Sequence, residues 1–153
     1  MFSVFREASF VRAQATNIDC ASADSITSLP FGEINLVNDG STTTFVDTSC
    51  NVASDSQSLW YEYTPTTSHI AQANVLDQSF SANLAVFSSS TGCSSLTCVG
   101  SDGILATTEL TVEWIAEAGT TYYIVVSEAP TISDGTFVLS VVISNVQVCG
   151  LAA

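Results

Sequence analysis

Leu110-Thr111-Val112-Glu113-Trp114, then the Ala118-Gly119 break, then Tyr122-Tyr123-Ile124-Val125-Val126: this passage decides the fold class. In its first run Leu110, Val112 and Trp114 occupy one phase of a period of two, and Thr111 and Glu113 the other. That is the pattern of a strand with one wet face. The second run is apolar on both phases, which marks a central strand covered from both sides rather than an edge. Phe137 to Ile143 repeats the alternation, with Phe137, Leu139, Val141 and Ile143 set against Val138, Ser140 and Val142.

The same grammar extends toward the N-terminus. Leu59-Trp60-Tyr61-Glu62-Tyr63 puts Leu59, Tyr61 and Tyr63 on one face before Pro65 closes it, and His69 to Val75 reads as another alternating run. Leu84 to Phe87, Ile34 to Val37 and Thr42 to Val46 are further short runs, separated by turn signals such as Asn38-Asp39-Gly40 and Asp102-Gly103. Cys20 to Ile26 reads as a short turn or one helical turn, and Cys93 to Val99 as a bridged loop or hairpin. About eight strands with hardly any helix predict an all-β fold, an antiparallel β-sandwich or jelly roll. Residues 17–153 form its single domain. Residues 1–16, MFSVFREASFVRAQAT, form an N-terminal extended arm, with no turn signal tying it to the domain. Its apolar stretch is shorter than a signal peptide's core, although Ala13-Gln14-Ala15 has the small-residue look of a cleavage site.

Charge narrows the function. The 153 residues carry 15 acidic side chains, two arginines and no lysine. Both cations, Arg6 and Arg12, lie on the arm, and from residue 13 onward the chain is −14. Nucleic-acid binding needs clustered cations to displace counterions, so it is excluded. Adsorption to anionic lipid is disfavoured on the same ground, and no apolar run approaches the ~20 residues of a membrane span. Only 11% of residues are charged while 41 are Ser or Thr, so the surface is largely hydroxyl. No Asn-x-Ser/Thr sequon occurs, so any sugars would be O-linked, on stretches such as Ser41-Thr42-Thr43-Thr44.

Five cysteines stand at 20, 50, 93, 98 and 149. No pair has C-x-x-C spacing and His69 is the sole histidine, which argues against zinc. Neighbours in sequence predict the bridges Cys20–Cys50 and Cys93–Cys98, and with them an oxidising, extracellular or cell-surface location. Cys149 is left as a buried thiol or a link to another chain.

Four stretches in order resemble secreted β-sandwich modules related to bacterial pre-peptidase C-terminal domains. Asn17-Ile18-Asp19-Cys20-Ala21-Ser22-Ala23 is similar to the family's N-D-x-C-x-x-A opening, and Ser58-Leu59-Trp60-Tyr61-Glu62-Tyr63-Thr64-Pro65 to its Trp-Tyr strand. Leu84-Ala85-Val86-Phe87 with Gly92-Cys93-Ser94-Ser95-Leu96, and Ala118-Gly119-Thr120-Thr121-Tyr122-Tyr123-Ile124, resemble two later segments. The resemblance spans residues 17–143. It implies a jelly-roll-like fold and a non-catalytic accessory role in substrate, matrix or surface attachment, sometimes with calcium.

Catalysis finds little support: His69 is the one histidine available as a general base, and no G-x-S-x-G elbow occurs. Asp39, Asp102 and Asp134, each followed by glycine, are the candidate calcium ligands, although Asp-Gly is also common turn chemistry and that reading takes precedence. No cofactor is otherwise implied. Trp60 and Trp114, with Tyr61 and Tyr63, are candidates for stacking on a sugar, and core packing is the competing use that takes precedence. The arm carries the sharpest expectation. Phe2, Val4, Phe5 and Phe10 supply apolar anchors, Arg6 and Arg12 pair with acids, and the arm docks on another copy. The predicted function is therefore a non-enzymatic extracellular structural subunit of a surface filament. A carbohydrate- or matrix-binding accessory module is the alternative, with glycans or matrix as partners.

Overall fold

The computed structural model describes residues 15–38, 47–52, 57–106, 109–128 and 135–144. Among them nine strands form two sheets: β1 (Asp24–Ile26), β2 (Phe31–Asn38), β3 (Ser58–Tyr63), β4 (His69–Leu76), β5 (Ala82–Ser89), β6 (Thr97–Ala106), β7 (Leu110–Ala116), β8 (Thr121–Glu128) and β9 (Gly135–Ile143). One sheet has the order β1-β3-β8-β5-β6, the other β2-β9-β4-β7. Every pairing is antiparallel except β1 with β3. The expected β-sandwich is the fold observed.

Periodicity places each strand. In β7 the burial alternates strictly, with Leu110, Val112, Trp114 and Ala116 inward, and β4 and β9 follow the same rule. The four-stranded sheet therefore keeps its outer side in solvent. β3, β5 and β8 are buried on nearly every residue, so the central part of the five-stranded sheet is covered on both sides. Its inner face, including Leu59, Tyr61, Leu84 and Ile124, meets Val75, Trp114, Leu139 and Val141 of the opposite sheet. Its outer face carries a second, smaller core of Trp60, Ala85, Phe87, Tyr123 and Val125, roofed by Cys50 and Val52.

Two disulfides fasten that roof, and they correct the sequence expectation. The bridges are Cys20–Cys93 and Cys50–Cys98, with Cα separations of 5.8 and 5.6 Å. Pairing by nearness in sequence fails because the bridges join layers that meet only in the folded state. Cys20 starts a 3₁₀ turn (Cys20–Ser22) capped by Asp19, whose Oδ1 accepts from the Ser22 amide at 2.8 Å. Asp47 holds the Cys50 turn in the same way, accepting from the Ser49 and Cys50 amides at 2.8 and 3.1 Å.

Other expectations shift locally. The 20–26 segment is a 3₁₀ turn followed by a strand the sequence pattern does not announce, β1. Asp102-Gly103 is no turn: it lies within β6, where the pairing with β5 slips between Ala82 and Leu84 and Gly103 takes φ +105°. A Cβ at Gly103 would stand 2.6 Å from the Ala82 carbonyl oxygen. The expected Thr42–Val46 strand and Cys149 lie outside the described residues.

Two outcomes are expected. Peptide mapping without reduction will recover Cys20 linked to Cys93 and Cys50 linked to Cys98. Loops of 73 and 48 residues give each bridge about 4 kcal/mol of chain-entropy stabilisation. The loops overlap, so removing both bridges will cost less than twice that. Gly103→Ala will destabilise the domain by about 2 kcal/mol or more in chemical denaturation, because the added methyl meets rigid backbone at positive φ.

Candidate functional site

The sandwich has two margins, and they differ. On one, β6 and β7 are sealed together: Asp102 Oδ2 accepts from the Thr111 amide at 2.9 Å, and the Gly100 backbone lies against Val112. Further along β7, the buried Tyr122 hydroxyl accepts from the Glu117 amide at 2.9 Å and donates to the Ile115 carbonyl at 3.2 Å. Asp102 and Tyr122 thus consume backbone groups on the outer edge of β7.

The other margin runs between β1 and β2. Ile26 and Tyr63 are register partners that both enter the main core, so Asp24 and Tyr61, two residues back, lie on the same inner phase. On β2, Phe31 pairs with Val141 and Glu33 with Leu139, both buried partners, so Glu33 is also on the inner phase. The Phe31 ring stands 6.0 Å from that of Tyr61, which sets the two strands face to face. The exposed Asp24, the half-buried Glu33 and the buried Tyr61 therefore share the inner phase at this margin.

The electrostatics follow from that placement. Tyr61 is wholly buried and its hydroxyl has no hydrogen-bond partner at bonding geometry. Burial, then the charge of Glu33, pushes its pKa far above the usual phenol value; the Asn17 side chain opposes this and Asp24 adds to it. The Asn17 amide is itself committed, donating to the Trp60 carbonyl at 3.0 Å. Glu33 is raised above the ordinary carboxylate value by partial burial and then by Asp24.

A second surface is the outer side of the four-stranded sheet. Register places Glu113 beside Gln72 and Val142, Thr111 beside Asn74 and Ser140, and Ile115 beside Ile70. Thr111 Oγ1 donates to Asn74 Oδ1 at 3.0 Å, and Ser144 Oγ to Glu113 Oε2 at 2.7 Å. Ile115 is 70% exposed. This face combines amides, hydroxyls and aliphatic groups around the single carboxylate of Glu113.

The residues singled out from sequence are distributed elsewhere. Trp60 and Trp114 are 0% and 4% exposed, so neither indole offers a face to a sugar, and core packing is their use. Trp60 lies in the outer core with Nε1 donating to Ser58 Oγ at 3.0 Å, and Trp114 in the main core against Tyr122. Asp102 serves the Thr111 amide, while Asp39 and Asp134 lie outside the described residues. Among the described residues no three His, Cys, Asp or Glu side chains gather as a metal site. His69 has both ring nitrogens engaged, Nε2 with the Tyr63 hydroxyl at 3.2 Å and Nδ1 with the Thr67 carbonyl at 2.8 Å. Phe2, Val4, Phe5, Arg6, Phe10 and Arg12 lie outside the described residues. Sequence reasoning does not single out Asp24 or Glu33, and it names Tyr61 only as an aromatic for sugar stacking or core packing. The available signal is a carboxylate two residues after Phe31, on the apolar phase of a strand.

The fold itself has a known counterpart. The structure is similar to the 1.0 Å crystal structure of the pre-peptidase C-terminal domain of a collagenase from Bacillus anthracis, with a TM-score of 0.51 and 15% sequence identity, covering 78% of this chain and 93% of that one. No protein-family model matches the sequence, and no curated protein is similar to it. The likeness is one of fold: the chain has a β-sandwich similar to that of the pre-peptidase C-terminal domain. The four sequence stretches fall on the capped turn at Asp19–Ser22, on β3, on β5 with the Cys93 turn, and on the turn into β8. Among the described residues no helix is long and apolar enough to cross a membrane.

Glu33 yields a pH prediction. Its pKa is raised in the folded state, so the folded state holds the proton more tightly than the unfolded one. Stability from this group is complete below the unfolded carboxylate value and falls as pH rises through the raised one. Glu33→Gln will therefore raise the melting temperature at pH 7 and remove the loss of stability that sets in as pH rises above the ordinary carboxylate range. Tyr61→Phe, which deletes a buried hydroxyl without a bonded partner, will leave the melting temperature unchanged or higher.

Proposed function

We propose that the chain is a non-catalytic module of a secreted protein that works by assembling with copies of itself at the cell surface, its N-terminal arm docking on a neighbour. The observation that carries this is the segregation of charge. Every positive side chain of the molecule lies on residues 1–12, interleaved with Phe2, Val4, Phe5 and Phe10, and everything after is acidic. A body of that composition repels others like it unless each contributes its cations to the next. Arm-to-body contacts of this kind are heterologous, and repetition yields a filament rather than a closed dimer. Two disulfides in a domain of this size agree with an oxidising compartment. The accessory role belongs with the fold likeness and with a histidine held by its two structural hydrogen bonds.

Electron microscopy and light scattering of the oxidised full chain test the reading. Elongated particles that dissolve as salt rises, and that are absent for Arg6→Glu with Arg12→Glu, are expected. Uniform monomers at every concentration would refute it.

A second reading is favoured by the outer side of the four-stranded sheet, whose Gln72, Asn74, Thr111, Ser140 and exposed Ile115 suit a neutral polymer such as a glycan or a matrix protein. Binding to immobilised polysaccharides and matrix proteins, lost by about tenfold or more on Asn74→Arg or Ile115→Arg, is its expected signature. Retention by none of those surfaces would count against it.

A further inference from the structure

We infer that the margin between β1 and β2 is the receptor for the arm: residues 2–12 of a second copy add to the outer edge of β2, the terminal strand of its sheet among the described residues, with an arginine held by Asp24 and Glu33. The inference rests on the assembly reading above and gives it an address.

β2 is an edge strand of eight residues, about 26 Å long. Its inner phase carries Glu33, and a charge pointing inward from an edge strand is a known defence against indiscriminate pairing. An apolar strand docking there would bury that carboxylate beside Asp24 with no compensating charge, at high cost. A strand bearing a cation on the same phase removes the cost, so the defence becomes a filter for one class of partner. In extended form the arm meets the requirement. Phe2, Val4, Arg6, Ala8, Phe10 and Arg12 share one phase, putting each guanidinium on the face that carries the anchors. A guanidinium offers five donors in a planar fork, enough to serve two carboxylates at once. The buried Tyr61 ring, 6.0 Å from that of Phe31, forms the apolar floor beside them. Apolar surface for the anchors is present too: Ala15, Ile18, Leu29 and Phe31 are partly buried against the main core.

The charge segregation behind the assembly reading assigns the donor to a second copy.

Complementation between two full-length variants tests this. The seam variant carries Asp24→Asn and Glu33→Gln; the arm variant carries Arg6→Glu and Arg12→Glu. Sedimentation velocity over a concentration series should show the wild-type chain forming successively larger species and each variant alone monomeric, its dissociation constant weakened by about tenfold or more. Mixed, the two should form one-to-one complexes and nothing larger, because one supplies an intact arm and the other an intact seam. A folding artefact is separable, since Glu33→Gln should raise the melting temperature of the monomer while abolishing association. If the arm variant loses association and the seam variant keeps it, assembly through the arm stands and this address for it is wrong. A monomeric wild-type chain, or a monomer whose own residues 1–12 are protected from proteolysis, overturns both.

Discussion

A sheet buried on both of its faces is the constraint on which the rest of this molecule depends. β3, β5 and β8 have almost no wet positions, so covering one side with the four-stranded sheet solves only half the problem. The second half is solved by a thin roof of turns too short to bury much themselves. That is why the cysteines lie where they do. Each disulfide ties a turn on the outer layer to a segment flanking β5 or opening β6, and each turn carrying the first cysteine is pinned by an aspartate accepting backbone amides. Aspartates that could have been taken for ligands are spent on holding the staples, and the tryptophan that could have been taken for a sugar platform is what the staples cover.

Much of this is legible from periodicity. The clean alternation of 110–114 and of 137–143 marks strands of the four-stranded sheet with their inner faces correctly assigned except at Ile143, which ends β9 exposed, and the two-sided apolar run at 122–126 marks β8 in the middle of its sheet. The four motif stretches point to the fold that the structural likeness bears out. Three residues of β1 are too few to leave a periodic signal, and they are held there by β3 rather than by their own preference. The cysteine pairing fails for a physical reason: closure of a short loop is easier in an unfolded chain, but the pairing is chosen by which layers touch after folding. Alternation correctly sets Trp60 opposite Leu59, Tyr61 and Tyr63. What no local pattern can say is that this opposite face is also covered.

The candidate margin is invisible in the sequence for a related reason. Asp24, Glu33 and Tyr61 belong to three strands from two sheets, and only the register of each against its buried partner shows that they share one face. A lone glutamate in a strand reads as a solvent-facing residue until its phase is known. Once it is, the raised pKa of Glu33 and the high value of the buried phenol share their causes, burial first and then the charge of a neighbouring carboxylate.

Asp102 and Tyr122 have one more consequence. By occupying backbone groups on the outer edge of β7 they plug one side of the four-stranded sheet, whereas among the described residues no strand lies beyond β2 on the other. A lattice built from such bricks could lengthen only in one sense, each unit presenting a fresh β2 and none offering a bare β7. Ribbons that broaden sideways without limit, the usual hazard of open-edged β proteins, would be checked at the level of a single carboxylate and a single phenol.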